Sequence, residues 1–354
     1  MSNIMSMAIS RPKMALLGLM CVIGTVAFLT FTQILTDSRT PSAKLSHHIV
    51  MDYSMKENHK KTRVSNNRVV QVQDYWELME KKMNNRRKLI ESSCKEIHHN
   101  NKRPIHPLMF TNIVVNDKLK ILYCKVPKVA CSNWLKVLYI MSAEPNNITS
   151  IDQIETKFVH EKDTTKKYFP TLDMYSKPEI EYRLHNYLKF AFVRNPFERI
   201  FSAYMNKFVN IRNDYFRRKY GTEVYDLIDE DVPLEDRLSG ENVTFRQFAK
   251  YLVHPRVKRP FNEHWQQYSE LCRPCAIQYD IVGKYETMDT DMKYTLKRMG
   301  VEEKLNYTGH RYSFSSTQEQ MGAAYKTIPI EDLKKLMHLY ILDFTLFGYN
   351  SPIW

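Results

Sequence analysis

The sequence predicts an α/β domain on a mainly parallel sheet, carried behind one apolar membrane run. Three observations lead there: β-rich runs alternating with helical periodicity, one long uncharged stretch near the N-terminus, and enough apolar residues for a core. Hydrophobic residues are 43% of the 354 and aromatics 12%, which excludes a wholly disordered chain. Nine glycines and no internal period exclude collagen-like and propeller architectures. A single apolar run excludes a polytopic transporter. The formal charge of +13, from 52 Lys and Arg against 39 Asp and Glu, favours polyanionic partners without naming one.

Met14 to Phe31 carries no charge, and Ile34-Leu35 extends it toward the ~20 residues of a membrane helix. Arg11 and Lys13 precede it with no acidic residue upstream, so residues 1–13 are expected in the cytosol and everything after the span across the membrane. The run exceeds the roughly 7–15 residues of a cleaved signal core and lacks a clear A-x-A site. The expected organisation is therefore a tail (1–13), a transmembrane signal-anchor (14–35), a lumenal stem (36–105) and a globular domain (106–354). Sequons at Asn147, Asn242 and Asn306 all lie beyond the span.

Between Lys56 and Arg103 stand 13 Lys/Arg and 6 Asp/Glu. That stem reads as a solvated stalk, with one helix where Asp74 caps Tyr75–Ile90, or as a basic tether for a polyanion. Five cysteines follow the span (Cys94, Cys124, Cys131, Cys272, Cys275), so an odd thiol is left over. A lone C-x-x-C at Cys272–Cys275 is poor support for zinc. In an oxidising lumen a local disulfide or longer pairings are expected, and no metal is implied.

From Ile105 the texture changes. Leu119–Val126, Tyr187–Val193 and Tyr279–Val282 are β-rich runs stopped by Pro127, Arg194-Asn-Pro and Gly283. Helical patterns follow each: Trp134/Val137/Leu138/Met141, Phe197/Ile200/Phe201/Tyr204 and Met292/Leu296/Met299. Alternating strands and helices give a mainly parallel sheet, whose ligands sit at the carboxyl ends of the strands.

The first such turn is Pro127-Lys128-Val129-Ala130-Cys131-Ser132-Asn133. Small side chains, one lysine and the open N–H groups of a helix start suit an anion. Neither a Walker A loop nor G-x-G-x-x-G occurs, which excludes the common nucleotide hydrolases and dinucleotide enzymes. The second turn is Arg194-Asn195-Pro196-Phe197-Glu198-Arg199-Ile200-Phe201-Ser202. Asn195 reads as N-cap, Pro196 as first helical residue and Glu198 as a capping-box partner. Arg194 is thereby presented where its fork can grip a phosphate, with Ser202 a turn further on. Arg199 and Glu198 read as a surface pair.

Taken together, P-K-V-A-C-S-N-W after a strand and R-x-P-F-E-R-x-x-S 67 residues on resemble the Golgi carbohydrate sulfotransferases. The likeness is to the group of chondroitin and dermatan 4-O-sulfotransferases and the glucuronyl 3-O-sulfotransferase. It covers about residues 106–354, and Pro260-Phe-Asn-Glu-His-Trp-Gln266 is similar to the chondroitin branch. Cys272-Arg-Pro-Cys275 and Tyr279–Thr287 extend it. The resemblance implies a P-loop-like, parallel-sheet catalytic domain in the Golgi lumen, with 3′-phosphoadenosine 5′-phosphosulfate (PAPS) as sulfate donor and a glycosaminoglycan or glycoprotein glycan as acceptor. C4 of N-acetylgalactosamine is the implied position. Sulfation of another sugar, such as terminal glucuronate at O3, and a non-catalytic glycan-binding protein are the alternatives. Nucleic acid is not an implied partner. Pro127–Asn133 would then hold the 5′-phosphosulfate, with Lys128 on the leaving oxygen, and Arg194 and Ser202 the 3′-phosphate. Asn195 departs from the Asp or Glu usual there, which puts in doubt how Arg194 is oriented.

Sulfuryl transfer to a hydroxyl also needs a base. His160, between the two turns, is the first candidate, and His264 the second, beside Trp265, whose ring could stack on a sugar; Glu263 is a third. Arg217-Arg218-Lys219 and Arg256–Arg259 are the acceptor-docking patches.

Overall fold

The computed structural model describes residues 66–97, 107–143, 147–210, 214–228, 231–305 and 315–350. The expected tail and membrane span lie outside them, as does Asn306. Among the described residues no helix is long and apolar enough to cross a membrane. Residues from Val64 onward form one compact unit.

In chain order the helices that position the site are α1 (Asn66–Ile97), α2 (Cys131–Ser142), α3 (Pro196–Tyr204), α4 (Phe245–Val253), α5 (Met288–Arg298) and α6 (Ile330–Phe347). The strands β1 (Ile113–Asn116), β2 (Ile121–Cys124), β3 (Leu188–Val193) and β4 (Ile281–Lys284) form one sheet in that order. β1 runs antiparallel to β2, while β2, β3 and β4 are mutually parallel. The α/β expectation holds, with three strands where the β-rich runs lie and β1 added at one edge. β4 continues through Gly283 rather than stopping there. A side chain on Gly283 would meet the Phe192 ring at 2.2 Å, so glycine is required by close approach within the strand.

Every residue of β1 and β2 is buried, as continuous apolar strands under helices should be. Tyr123, Phe190, Phe192 and Trp134 interlock there, with ring centroids 4.8–4.9 Å apart for three of the pairs. A second core, rich in aromatics, lies among α3, α4 and α6 and includes Phe197, Phe201, Phe248, Trp265 and Tyr340.

The solvated-stalk expectation fails for residues 66–97. α1 starts at Asn66, so Asp74 lies inside it and caps nothing. Met79, Met83 and Ile90 are buried against the sheet-side core. Three of its basic residues are bound to the folded body, while Lys81, Lys88 and Lys95 stay exposed. Arg86 donates to the Val282 carbonyl at 2.7 Å and to buried Asp291 at 2.6 Å, Lys82 reaches the same carboxylate at 2.9 Å, and Arg87 donates to Asp280 O at 2.6 Å. Cys94 is disulfide-bonded to Cys275 and Cys124 to Cys272, leaving Cys131 as the odd thiol. The pairings are the longer kind; no local Cys272–Cys275 bridge forms.

Candidate active site

Cys124 pairs with Ala191 and Val193 with Lys284 across parallel strands. The chain therefore leaves β2, β3 and β4 along one edge, and both expected turns emerge there side by side.

In the first turn Lys128 has φ 73° and Ala130 φ 62°, both left-handed. Residues of opposite hand in succession are the backbone pattern of an anion-binding nest, and without glycine each left-handed residue costs about 1 kcal/mol or more. Ala130 is the N-cap of α2 and offers no capping side chain, so the first N–H groups of the helix remain for a ligand. Pro127 and Val129 are buried, which leaves Lys128, Ala130, Cys131, Ser132 and Asn133 to line the turn. Burial raises the pKa of the Cys131 thiol, against the pull of Lys125, so it stays a thiol.

The second turn is built differently from its expected form. Asn195 does cap α3, its Oδ1 accepting from Phe197 N–H at 3.0 Å and more weakly from Glu198 N–H. Glu198, however, does not complete a capping box. It accepts from Arg194 Nε at 3.0 Å, and the Asn195 N–H donates instead to Glu286 at 2.8 Å. The question raised by Asn195 thus has an answer in the structure: Glu198, four residues on, orients Arg194. Arg194 is 6% exposed, lies over the Tyr285 ring at 4.6 Å, and has its backbone N–H and C=O both held by the Tyr268 hydroxyl. Phe197, Ile200 and Phe201 point into the second core, and Ser202 is half-buried one turn on.

Arg199 is not a surface partner of Glu198. It is 1% exposed, and its guanidinium donates to the carbonyls of Pro127 (3.2 Å), Gln266 (2.7 Å) and Glu263 (2.7 Å). The surface pair expected from the sequence gives way to contacts with the protein's own backbone.

Both histidine candidates reach this edge. His160 Nε2 lies 2.8 Å from Ser132 Oγ, which ties it to the first turn. Its outer edge is exposed, yet crowding of the ring lowers its pKa, with Lys125 and Lys207 adding to the effect and Glu263 opposing it. His264 Nδ1 lies 2.7 Å from Asn262 Oδ1. That same oxygen accepts the His264 backbone N–H, so Nδ1 carries the ring proton and Nε2 holds the lone pair. Burial, with Lys207, Arg199, Lys128 and Lys125 around it, pushes the His264 pKa down to about 2. Glu263 pairs with Lys125 at 3.8 Å.

Trp265 is fully buried, so it packs the core and cannot stack on a sugar as expected. Arg217 is paired with Asp214 and Glu241; Arg218, Lys219, Arg256, Lys258 and Arg259 remain exposed. The sequence reading missed Tyr285 and Glu286, although they follow β4 at the same edge and the strand-end rule would have found them. It also missed Lys125 and Lys207, which carry no pattern beyond their charge. Among the described residues no group of His, Cys, Asp and Glu could hold a metal.

The "Sulfotransferase family" profile matches residues 111–350. Carbohydrate sulfotransferase 11 of Rattus norvegicus is 38% identical over 253 residues, 71% of this chain and 70% of the relative. Carbohydrate sulfotransferase 14 of Danio rerio is 39% identical over 245 residues, 69% of this chain and 64% of that one. Carbohydrate sulfotransferase 12 of Mus musculus is 35% identical over 257 residues, covering 68% and 60%. No solved structure matches the chain. With two strand-end turns of this build and a profile that spans most of its length, the chain belongs to the sulfotransferase family.

Proposed function

We propose that this chain moves a sulfuryl group from PAPS to the C4 hydroxyl of N-acetylgalactosamine in chondroitin or dermatan. That it is a glycan O-sulfotransferase follows from its family and from relatives named as carbohydrate sulfotransferases. The donor and the acceptor position are our reading of the two turns and of the segment Pro260–Gln266.

The residues present fit such a donor. The alternating-hand backbone at Lys128 and Ala130 and the open start of α2 suit a 5′-phosphosulfate. Arg194, aimed by Glu198 and Tyr285, suits the 3′-phosphate, with Ser202 on the next turn. When bound, the donor would supply a sulfuryl group on a phosphate leaving group. Lys128, a compact cation at a helix start, meets the charge that develops on the leaving oxygen. His160 takes the proton of the attacking hydroxyl. Ser132 holds its ring beside the loop, and its pKa lies closer to the working range than that of His264. Positioning and charge stabilisation supply most of the acceleration, as in phosphoryl transfer.

Residues 14–35 would anchor the chain as a single-pass type II protein of the Golgi membrane, with residues 36–354 lumenal. Two disulfides in the described residues favour an oxidising compartment. Asn147 is exposed and suits glycosylation. Asn242 is exposed too, though its amide donates to Asp236 at 2.8 Å.

The observation that carries the reading is the pairing of a nest with Lys128 and a clamped Arg194 on one sheet edge. Labelled sulfate transfer from PAPS to desulfated chondroitin, dermatan and terminal-glucuronate acceptors tests it. Label at C4 of N-acetylgalactosamine is expected, and label confined to glucuronate would replace the acceptor assignment. Lys128→Ala should lower turnover by at least about 10²-fold, the scale of removing one charge-stabilising donor, while the melting temperature holds. Near-normal turnover would discard the role of Lys128.

A further inference from the structure

We propose that Arg199 is a positioning residue that sets the spacing between the donor turn, to which His160 is tied through Ser132, and the acceptor segment Pro260–Gln266. The inference rests on the functional reading above. Arg199 reaches three carbonyls on two segments distant in sequence: Pro127, which opens the donor turn, and Glu263 and Gln266, which flank His264. Its guanidinium also lies 4.7 Å from the Tyr268 ring. The Tyr268 hydroxyl holds the N–H and C=O of Arg194, so the second turn is tied to the same centre.

The choice of arginine has a physical reason. The planar fork meets each carbonyl with a different nitrogen, Nε on Pro127, Nη1 on Gln266 and Nη2 on Glu263, whereas an ammonium offers its three donors from a single atom. At 1% exposure the group has lost its water, and among the described residues no carboxylate lies in ion-pair range of it. Burying a cation against neutral carbonyls is costly. A structural strut would be served as well by neutral donors. The charge has a use here, since it adds to the positive potential around His264 and the donor turn.

The acceptor side of this joint is itself rigid. Phe261 N–H donates to Gln266 Oε1 at 2.6 Å, the Tyr340 hydroxyl donates to the Trp265 carbonyl, and Asp343 accepts from the N–H groups of Tyr268 and Ser269 at 2.8 and 3.0 Å. α6 thus fixes residues 265–269, the Gln266 side chain ties Phe261 to them, and Arg199 transmits that fixed position to Pro127. A shift of about 1 Å between reacting groups can cost on the order of 10²-fold in rate.

The test is Arg199→Lys in the full lumenal chain, which keeps the charge and breaks the fork. Melting temperature, affinity for adenosine 3′,5′-bisphosphate, kcat and both KM values are read together. The expected result is a folded protein that binds the bisphosphate within about threefold of wild type and has kcat reduced by about 10²-fold. A folded variant with kcat within threefold of wild type would overturn the proposal. So would affinity and kcat that fall together, the mark of a merely structural residue. Wild type without PAPS-dependent transfer would instead sink the functional reading. Hydrogen exchange of the wild-type protein applies even to a variant that fails to fold. Segments 125–133 and 261–267 should open together, and independent opening would overturn the joint.

Discussion

Asp291 offers the sharpest test of the claim that α1 belongs to the folded body. Its carboxylate is fully buried and accepts from Lys82 at 2.9 Å, Arg86 at 2.6 Å, the Lys284 N–H at 2.8 Å and the Thr287 hydroxyl at 2.7 Å. Burial alone would raise its pKa, but Arg86 and Lys82 outweigh that and hold it below the usual carboxylate range. Asp291→Asn keeps the shape and removes the charge, leaving Arg86 beside a neutral amide. Breaking a buried pair from one side costs about 3–5 kcal/mol. Lys82 is 31% exposed and can turn to water, so the lower end applies. For a domain of this size 1 kcal/mol shifts Tm by about 2–4 °C, which makes the expected drop about 6–12 °C. The sign with pH follows from the lowered pKa. The stabilisation is present above the unfolded value near 4 and lost as pH falls through the lower folded one. The deficit of the variant should therefore be constant from pH 5 to 8 and shrink below about pH 4. The assay is thermal unfolding of residues 64–354, wild type against variant. A shift under about 2 °C, or an unchanged Tm when residues 64–97 are deleted, would refute the anchoring of α1.

Ala130→Gly relieves a left-handed alanine at φ 62° and should raise stability by up to about 1 kcal/mol, read as a higher Tm; a lower Tm would show that the strain is misassigned. If His160 is the base, it must be neutral to act, so kcat should rise with pH through its lowered pKa and reach half-maximum below about 6.5. His160→Gln should remove that acid limb and slow turnover by about 10²–10⁴-fold. A limb that persists in this variant would transfer the role to His264 or Glu263.

Much of this arrangement was readable from residues alone, for physical reasons. Three buried strands, two of them ended by a proline turn and each followed by a helical stripe, leave few topologies. The Asn195-Pro196 start of α3 is specified locally, because cap and φ constraint act within four residues. What the sequence hid are interactions whose partners lie far along the chain. Glu198 sits where a capping box predicts it, yet the Arg194 side chain competes for the carboxylate and wins, since a charge-assisted bond is the stronger. Arg199 reads as a surface charge by composition and is buried by three carbonyls that no local pattern announces. α1 reads as polar because its buried apolar face is narrow, Met79, Met83 and Ile90 among the described side chains, and Lys82 and Arg86 answer a carboxylate about 200 residues on. Trp265 stands in a polar-looking motif but is claimed by the aromatic core.

The account depends on a donor clasped at both ends by turns on one sheet edge. The most direct measurement is a crystal structure of the lumenal domain with adenosine 3′,5′-bisphosphate. The account places the 5′-phosphate on the N–H groups of residues 128–132 beside Lys128, and the 3′-phosphate on Arg194 next to Ser202. A nucleotide found away from the ends of β2 and β3, or bound with Arg194 still turned from it, would contradict the claim.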